Sequence, residues 1–199
     1  MITKVCGLTA RTDLVGLATL PVDWGGFIFV RSSPRYAGRV PLVLPGGIQS
    51  LGVFRDEAVH AILHTARSWS LDGVQLHGDE SPEDARALKR AGLVVVKAIG
   101  LSGDGRSGLA RARAYAPDDV DFLLFDTPGG GTGEAFDWTL LDGYRGEVPF
   151  LLAGGIGPDS GPHLDLLRHP RWAGIDLNSR FEDAPGAKNL ALLRSFLVA

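Results

Sequence analysis

The chain has 199 residues, 45% hydrophobic and 22% charged, with a formal net charge of −3, which is the balance of a globular domain and not of a disordered or fibrous one. A negative balance argues against non-specific nucleic-acid binding, which needs a basic surface, and no apolar run approaches the ~18 residues of a membrane span. Cys6 is the only cysteine, so no internal disulfide can form; together with an N-terminus that lacks a signal-peptide pattern, this leads us to expect a cytoplasmic protein, folded as a single domain over 1–199.

Residues 2–6 read as a short strand ended by Gly7. A helix is predicted over 9–20, with Leu14, Leu17 and Ala18 at helical spacing and Pro21 as its stop. A second strand over 26–30 runs into Arg31-Ser32-Ser33-Pro34-Arg35-Tyr36. Beyond it Pro41, Pro45, Gly46 and Gly47 leave no helical period, so the second helix is expected to be reduced or missing. Then come a third strand (51–54), a helix (56–69), a fourth strand (73–76) and a helix capped at Ser81 with Pro82 at its first position. A fifth strand (93–98), a helix (107–115) and a sixth strand (121–125) lead to Asp126, a glycine-rich loop through 133 and a short helix around 138–141. The seventh strand (148–152) ends in Ala153-Gly154-Gly155 and precedes a helix over 158–168; the eighth (173–177) is followed by a closing helix over 187–198. Eight short apolar strands, mostly separated by helices, predict an α/β fold of the (β/α)8 TIM-barrel type. An open doubly wound sheet is disfavoured because no G-x-G-x-x-G follows the first strand.

In such a barrel the loops after the strand C-termini form the active face. There lie Cys6, Arg31, Arg35, His77, Asp126, Gly154, Gly155, Asn178, Ser179 and Arg180. Cys6 shares a strand face with Lys4, about 7 Å away between Cα atoms; it is either an inert buried thiol or one activated by that cation. Gly154-Gly155 is either a tight turn or a phosphate cradle helped by helix N-termini. Arg35 is either a solvated loop charge or a clamp for a carboxylate, and His77 either contacts substrate or satisfies loop backbone. Asp126 either caps a turn or, under a glycine-rich lid that excludes water, acts as a general acid. No His/Cys/Asp cluster has metal-ligand spacing, so no metal is expected.

Taken together, these stretches resemble the phosphoribosylanthranilate isomerase family of tryptophan biosynthesis. Lys4-Val5-Cys6-Gly7-Leu8-Thr9 is similar to its opening motif, and Gly26-Phe27-Ile28-Phe29 with Ser33-Pro34-Arg35-Tyr36 to its second. Val74-Gln75-Leu76-His77-Gly78, Val96-Lys97-Ala98-Ile99, Phe125-Asp126-Thr127, Gly130-Gly131-Thr132-Gly133 and Phe136-Asp137-Trp138 follow in order. Leu152-Ala153-Gly154-Gly155-Ile156, Gly174-Ile175-Asp176 and Pro185-Gly186-Ala187-Lys188 complete the set.

The resemblance implies a cofactor-free Amadori rearrangement of the phosphosugar N-(5-phosphoribosyl)anthranilate to the 1-deoxyribulose form. By motif, Cys6 is similar to the general base and Asp126 to the general acid. Arg35 would hold the anthranilate carboxylate, Gly154, Gly155, Asn178 and Ser179 the phosphate, and His77 and Asp176 would contact substrate. Lys4 is expected to lower the Cys6 pKa by more than one unit, the effect of about 2 kcal/mol at an effective dielectric of ~20. Arg180 departs from the glycine many members carry there; it either adds a guanidinium to the phosphate or faces solvent. A monomer and a homodimer are equally compatible with the sequence. The competing readings are another phosphosugar isomerase, which typically uses paired carboxylates, and a catalytically silent phosphate-binding barrel.

Overall fold

A computed structural model describes residues 1–38, 40–127 and 136–198. In chain order it contains β1 (Ile2–Val5), α1 (Arg11–Leu17), β2 (Trp24–Ile28), β3 (Gln49–Phe54), α2 (Val59–Trp69), β4 (Gly73–Leu76), α3 (Pro82–Arg90), β5 (Val94–Gly100), α4 (Arg106–Ala112) and β6 (Phe122–Asp126). A 3₁₀ segment at Trp138–Gly143, β7 (Phe150–Leu152), a 3₁₀ turn at Pro158–Ser160, α5 (Gly161–Leu164) and β8 (Trp172–Leu177) follow. After a third 3₁₀ turn at Ser179–Phe181, the chain makes a hairpin of β9 (Glu182–Ala184) and β10 (Ala187–Lys188) and closes with α6 (Leu190–Leu197).

Strands β1 to β8 form a closed barrel in sequence order. Closure joins the first strand to the last, with Lys4 opposite Asp176 and Val5 opposite Leu177 in parallel register. Because successive strand residues point to opposite faces, each strand divides its side chains between two cores. Val5, Val74, Leu76, Leu123, Phe125, Leu152 and Ile175 point outward and are buried with helix residues such as Leu14, Ile62, Leu88 and Leu193. Trp24, Leu51, Val96, Leu124 and Leu151 point inward and fill the barrel, so it is a packed core and not a pore. One layer nearer the strand C-termini, Cys6 packs with Ile28 and Val53. Cys6 therefore enters the interior by the same alternation that places Lys4 below it.

Several elements differ from the sequence reading for identifiable reasons. Strand β2 begins two residues early, because Trp24 pairs with Lys4 of β1. Among the described residues between β2 and β3 no helix forms, as the prolines and glycines there lead one to expect. The helix over 158–168 shrinks to a 3₁₀ turn and the four-residue α5, since Pro158, Gly161 and Pro162 are the poorest helix formers. The closing helix starts only at Leu190, where the Asn189 side chain accepts from the Leu192 N–H. The hairpin in its place turns on Pro185-Gly186, a dipeptide that marks turns; that signal was present and passed over. The capped helix is as expected: Ser81 and Asp84 form a reciprocal capping box with Pro82 at the first position. The glycine-rich lid proposed for 129–133 lies outside the described residues.

Candidate active site

A cavity of about 340 Å³ opens at the strand C-termini of the barrel. It is lined by Cys6, Arg35, His77, Asp126, Gly154, Gly155, Asp176, Asn178 and Ser179, so the structure brings together all nine of these residues from the ends of six strands. Ile28, Val30, Val53 and Ile156 supply its apolar wall. Arg31 is exposed and does not line it. Nor does Arg180: its side chain is 45% exposed, lies over Gly157 in the loop after β7 and stands 4.0 Å from Asp159.

Two glycines make this geometry possible. Gly26 gives the thiol its room, since a Cβ there would stand 2.7 Å from Cys6 Sγ. Gly154 takes φ +73°, a left-handed conformation, and a Cβ on it would meet Thr127 Oγ1 at 2.6 Å and Asp126 Oδ1 at 3.1 Å. The β7 loop can thus lie against the end of β6 only because Gly154 carries no side chain.

The floor of the cavity is ionic. Lys4, fully buried, donates to Asp176 Oδ2 at 2.7 Å, while Asp176 Oδ1 has no hydrogen-bond partner. Burial draws the Lys4 pKa down, but Asp176 and, next to it, Cys6 outweigh this and hold it above its ordinary value, so Lys4 is a cation. Lys4 acts on Cys6 in the expected direction, but the thiol does not end below its ordinary range. Burial raises the thiol pKa and Lys4 offsets only part of the rise. The main cause is burial; Asp176, 2.7 Å from the Lys4 ammonium, adds a smaller upward push of its own.

Asp126, 7% exposed at the end of β6, is pushed up to about 6 by burial, with Asp176 adding to the rise and the Thr127 N–H, 2.7 Å from Oδ1, opposing it. His77 faces it, Nε2 to Oδ2 at 3.6 Å, too long for a hydrogen bond. Burial, then Lys4 and Lys97, push His77 down to about 4, so the ring is neutral at neutral pH. The Gln75 amide lies 3.0 Å from Nδ1; with that amide as donor, the ring proton sits on Nε2, toward Asp126.

His77 is held from outside the barrel. Lys97, buried on the outer face of β5, donates to the carbonyls of Leu76 and Gly78 on either side of it and to Glu80 Oε2 at 2.9 Å. Glu80 in turn accepts from the N–H groups of Gly78 and Asp56. On the opposite side of the mouth, Arg35 donates through Nε to both oxygens of Glu182, and Lys188 donates to Asn178 Oδ1 and Glu182 Oε1. Glu80 and Glu182 were not singled out in the sequence, because nothing in the spacing of either marks the distant cation it meets. Among the described residues no group of three or more His, Cys, Asp or Glu side chains is arranged to hold a metal ion, and no helix is long and apolar enough to cross a membrane.

The whole chain has close counterparts. A family profile described as N-(5'phosphoribosyl)anthranilate (PRA) isomerase matches residues 3–199. N-(5'-phosphoribosyl)anthranilate isomerase of Phocaeicola vulgatus is 42% identical, covering 99% of this chain and 96% of that protein. The enzyme of the same name from Parabacteroides distasonis is 39% identical over 99% of this chain and 92% of its own length. Among solved structures, phosphoribosyl anthranilate isomerase from Thermus thermophilus superposes with a TM-score of 0.80 at 30% identity, over 100% of this chain and 97% of that one. A second isomerase structure, a complex with reduced 1-(o-carboxyphenylamino)-1-deoxyribulose 5-phosphate, gives 0.80 at 29% identity over 99% and 97% of the two chains. Barrel closure, an acid and a thiol at one mouth, and similarity along nearly every residue therefore converge: this chain belongs to the N-(5'-phosphoribosyl)anthranilate isomerase family.

Proposed function

We propose that Cys6 and Asp126 are the base and acid of the family's reaction, the aldose-to-ketose rearrangement of N-(5′-phosphoribosyl)anthranilate to 1-(2-carboxyphenylamino)-1-deoxyribulose 5-phosphate in tryptophan biosynthesis. The observation that carries this assignment is that both residues line one cavity at the C-terminal end of a closed barrel. Asp126 protonates the ring oxygen O4′, the C1′–O4′ bond breaks, and the anthranilate nitrogen stabilises the resulting iminium. The cationic iminium acidifies the C2′ proton, which the Cys6 thiolate removes, leaving an enolamine. Ketonisation then moves one proton on to C1′ and takes one from the 2′-hydroxyl; if the thiol gives the first and the Asp126 carboxylate receives the second, both groups return to their starting states. No redox cofactor is needed, since oxidation at C2′ balances reduction at C1′. Arg35 faces the anthranilate carboxylate, Gly154, Gly155, Asn178 and Ser179 face the phosphate, and His77 and Asp176 contact the sugar.

Turnover of freshly generated N-(5′-phosphoribosyl)anthranilate, followed by loss of its fluorescence, tests the activity; a folded protein that leaves the signal unchanged refutes it. The pH dependence tests the residues. The acid must keep a proton that it loses at about 6, and the base must lose one that it holds above the usual thiol range. The productive state is then a minority form whose share is constant between the two pKa values. Accordingly kcat/KM is expected to rise to a plateau with an apparent pKa near 6 and to fall only once the thiol range is reached. In Asp126→Asn the plateau is expected to become a continuous rise with pH, because only the thiol then titrates. A wild-type profile with no ionisation near 6 would contradict the acid assignment.

A further inference from the structure

The loop that carries Arg35 lacks the support of a following helix: among the described residues between β2 and β3 none forms, and its local ties are backbone bonds from Ser33 to Val30, Tyr36 to Ser33 and Ala37 to Ile28, with the Arg35 N–H to Ser33 Oγ at 3.1 Å, none of which holds the guanidinium. The guanidinium is fixed from the far end of the chain instead. Its Nε donates to Glu182 at 2.9 and 3.1 Å, and Glu182 is 3% exposed at the start of β9. Glu182 is itself pinned by Lys188 Nζ at 2.6 Å and by the Gly186 N–H at 3.2 Å, and the same ammonium reaches Asn178 Oδ1 at 2.9 Å. Since Nε is taken and Arg35 lines the cavity, the groups it has left for a ligand are its two terminal amino groups. The half-buried Arg35 and the buried Lys188 share the one carboxylate of Glu182, so the pair is short of one negative partner beside the cavity. An incoming carboxylate completes it.

We infer that Glu182 is a positioning residue for the aryl end of the substrate: it aims Arg35, and through Arg35 it sets the preference for an N-aryl aminoaldose with an ortho carboxylate over one without. This rests on the assignment of Arg35 to the anthranilate carboxylate and adds to it the residue that makes Arg35 selective.

The test compares two substrates, the N-glycosides formed by ribose 5-phosphate with anthranilate and with aniline, which lacks the carboxylate. In Glu182→Gln, kcat/KM for the anthranilate adduct is expected to fall about 10- to 100-fold, chiefly through KM, and that for the aniline adduct by less than about threefold, the difference a charge-assisted hydrogen bond makes. Glu182→Asp, which keeps the charge on a shorter stem, is expected to recover part of the preference. Equal losses for both substrates overturn the inference, because a merely structural residue does not distinguish them. Failure of both variants to fold, read by circular dichroism, also overturns it by making the cluster a folding element only. Arg35→Met separates the underlying assignment: a preference unchanged in that variant refutes Arg35 as the carboxylate clamp, whereas a preference lost there and kept in both Glu182 variants refutes the role of Glu182 alone.

Discussion

Asp126→Asn is expected to lower kcat about 10²- to 10⁴-fold with little change in KM, a loss of about 2.7–5.5 kcal/mol of transition-state stabilisation. The amide is nearly isosteric, and its oxygen still accepts the Thr127 N–H that Asp126 Oδ1 accepts at 2.7 Å, so the end of β6 keeps its shape. What disappears is a proton held at about 6, close enough to neutrality to be both present and transferable. Substrate binding does not use that proton, which is why KM is spared. Steady-state kinetics on freshly generated substrate decides the matter; a kcat within about threefold of wild type would remove Asp126 from the reaction.

Cys6→Ala is expected to cost a comparable about 10²- to 10⁴-fold in kcat, and Cys6→Ser to recover little of it, because a hydroxyl is a far weaker base than a thiolate. Neither variant disturbs the fold at its joints: the ion pair of Lys4 and Asp176 stays, and both new side chains are smaller than the one Gly26 makes room for. The buried position that raises the thiol pKa also explains why the free enzyme holds little thiolate. The base forms in useful amount once a cationic iminium lies beside it, in a pocket whose floor is already neutralised. Loss of the rising limb of the pH profile in Cys6→Ala, leaving a rate that falls above about 6 because only Asp126 then titrates, alongside the drop in kcat, would identify the sulfur as the base; a normal kcat in that variant would exclude it.

Much of this architecture is readable without a structure, and the reason is periodicity. Each barrel strand is a short apolar run bounded by turn residues, and the two-residue alternation that puts Lys4 and Cys6 on one face can be counted directly. The shared mouth of Cys6 and Asp126 follows from the rule that strand C-termini in such barrels point the same way. What alternation cannot convey is which charges meet. Lys4 and Asp176 are 172 positions apart, and Arg35 and Glu182 are 147 apart. No spacing rule links such pairs, and each member alone looks like a surface charge. For Lys4 the cation was visible in the sequence, while the burial that outweighs its pull on Cys6 and its own counter-ion were not. Local chemistry was misjudged as well, where Pro185-Gly186 turned an expected helix into the hairpin that delivers Glu182 and Lys188.

That hairpin sits after the last barrel strand, while the arginine it steadies comes with the second. During synthesis the amino-terminal third therefore leaves the ribosome with a cavity wall it cannot yet complete: β1 waits for β8 to pair with it, and Arg35 waits for Glu182. Long-range parallel pairing is intrinsically slow, so the nascent chain spends this interval with the Cys6 thiol unsheltered and its seam open. The cavity is therefore complete only once the segment from β8 to α6 has docked.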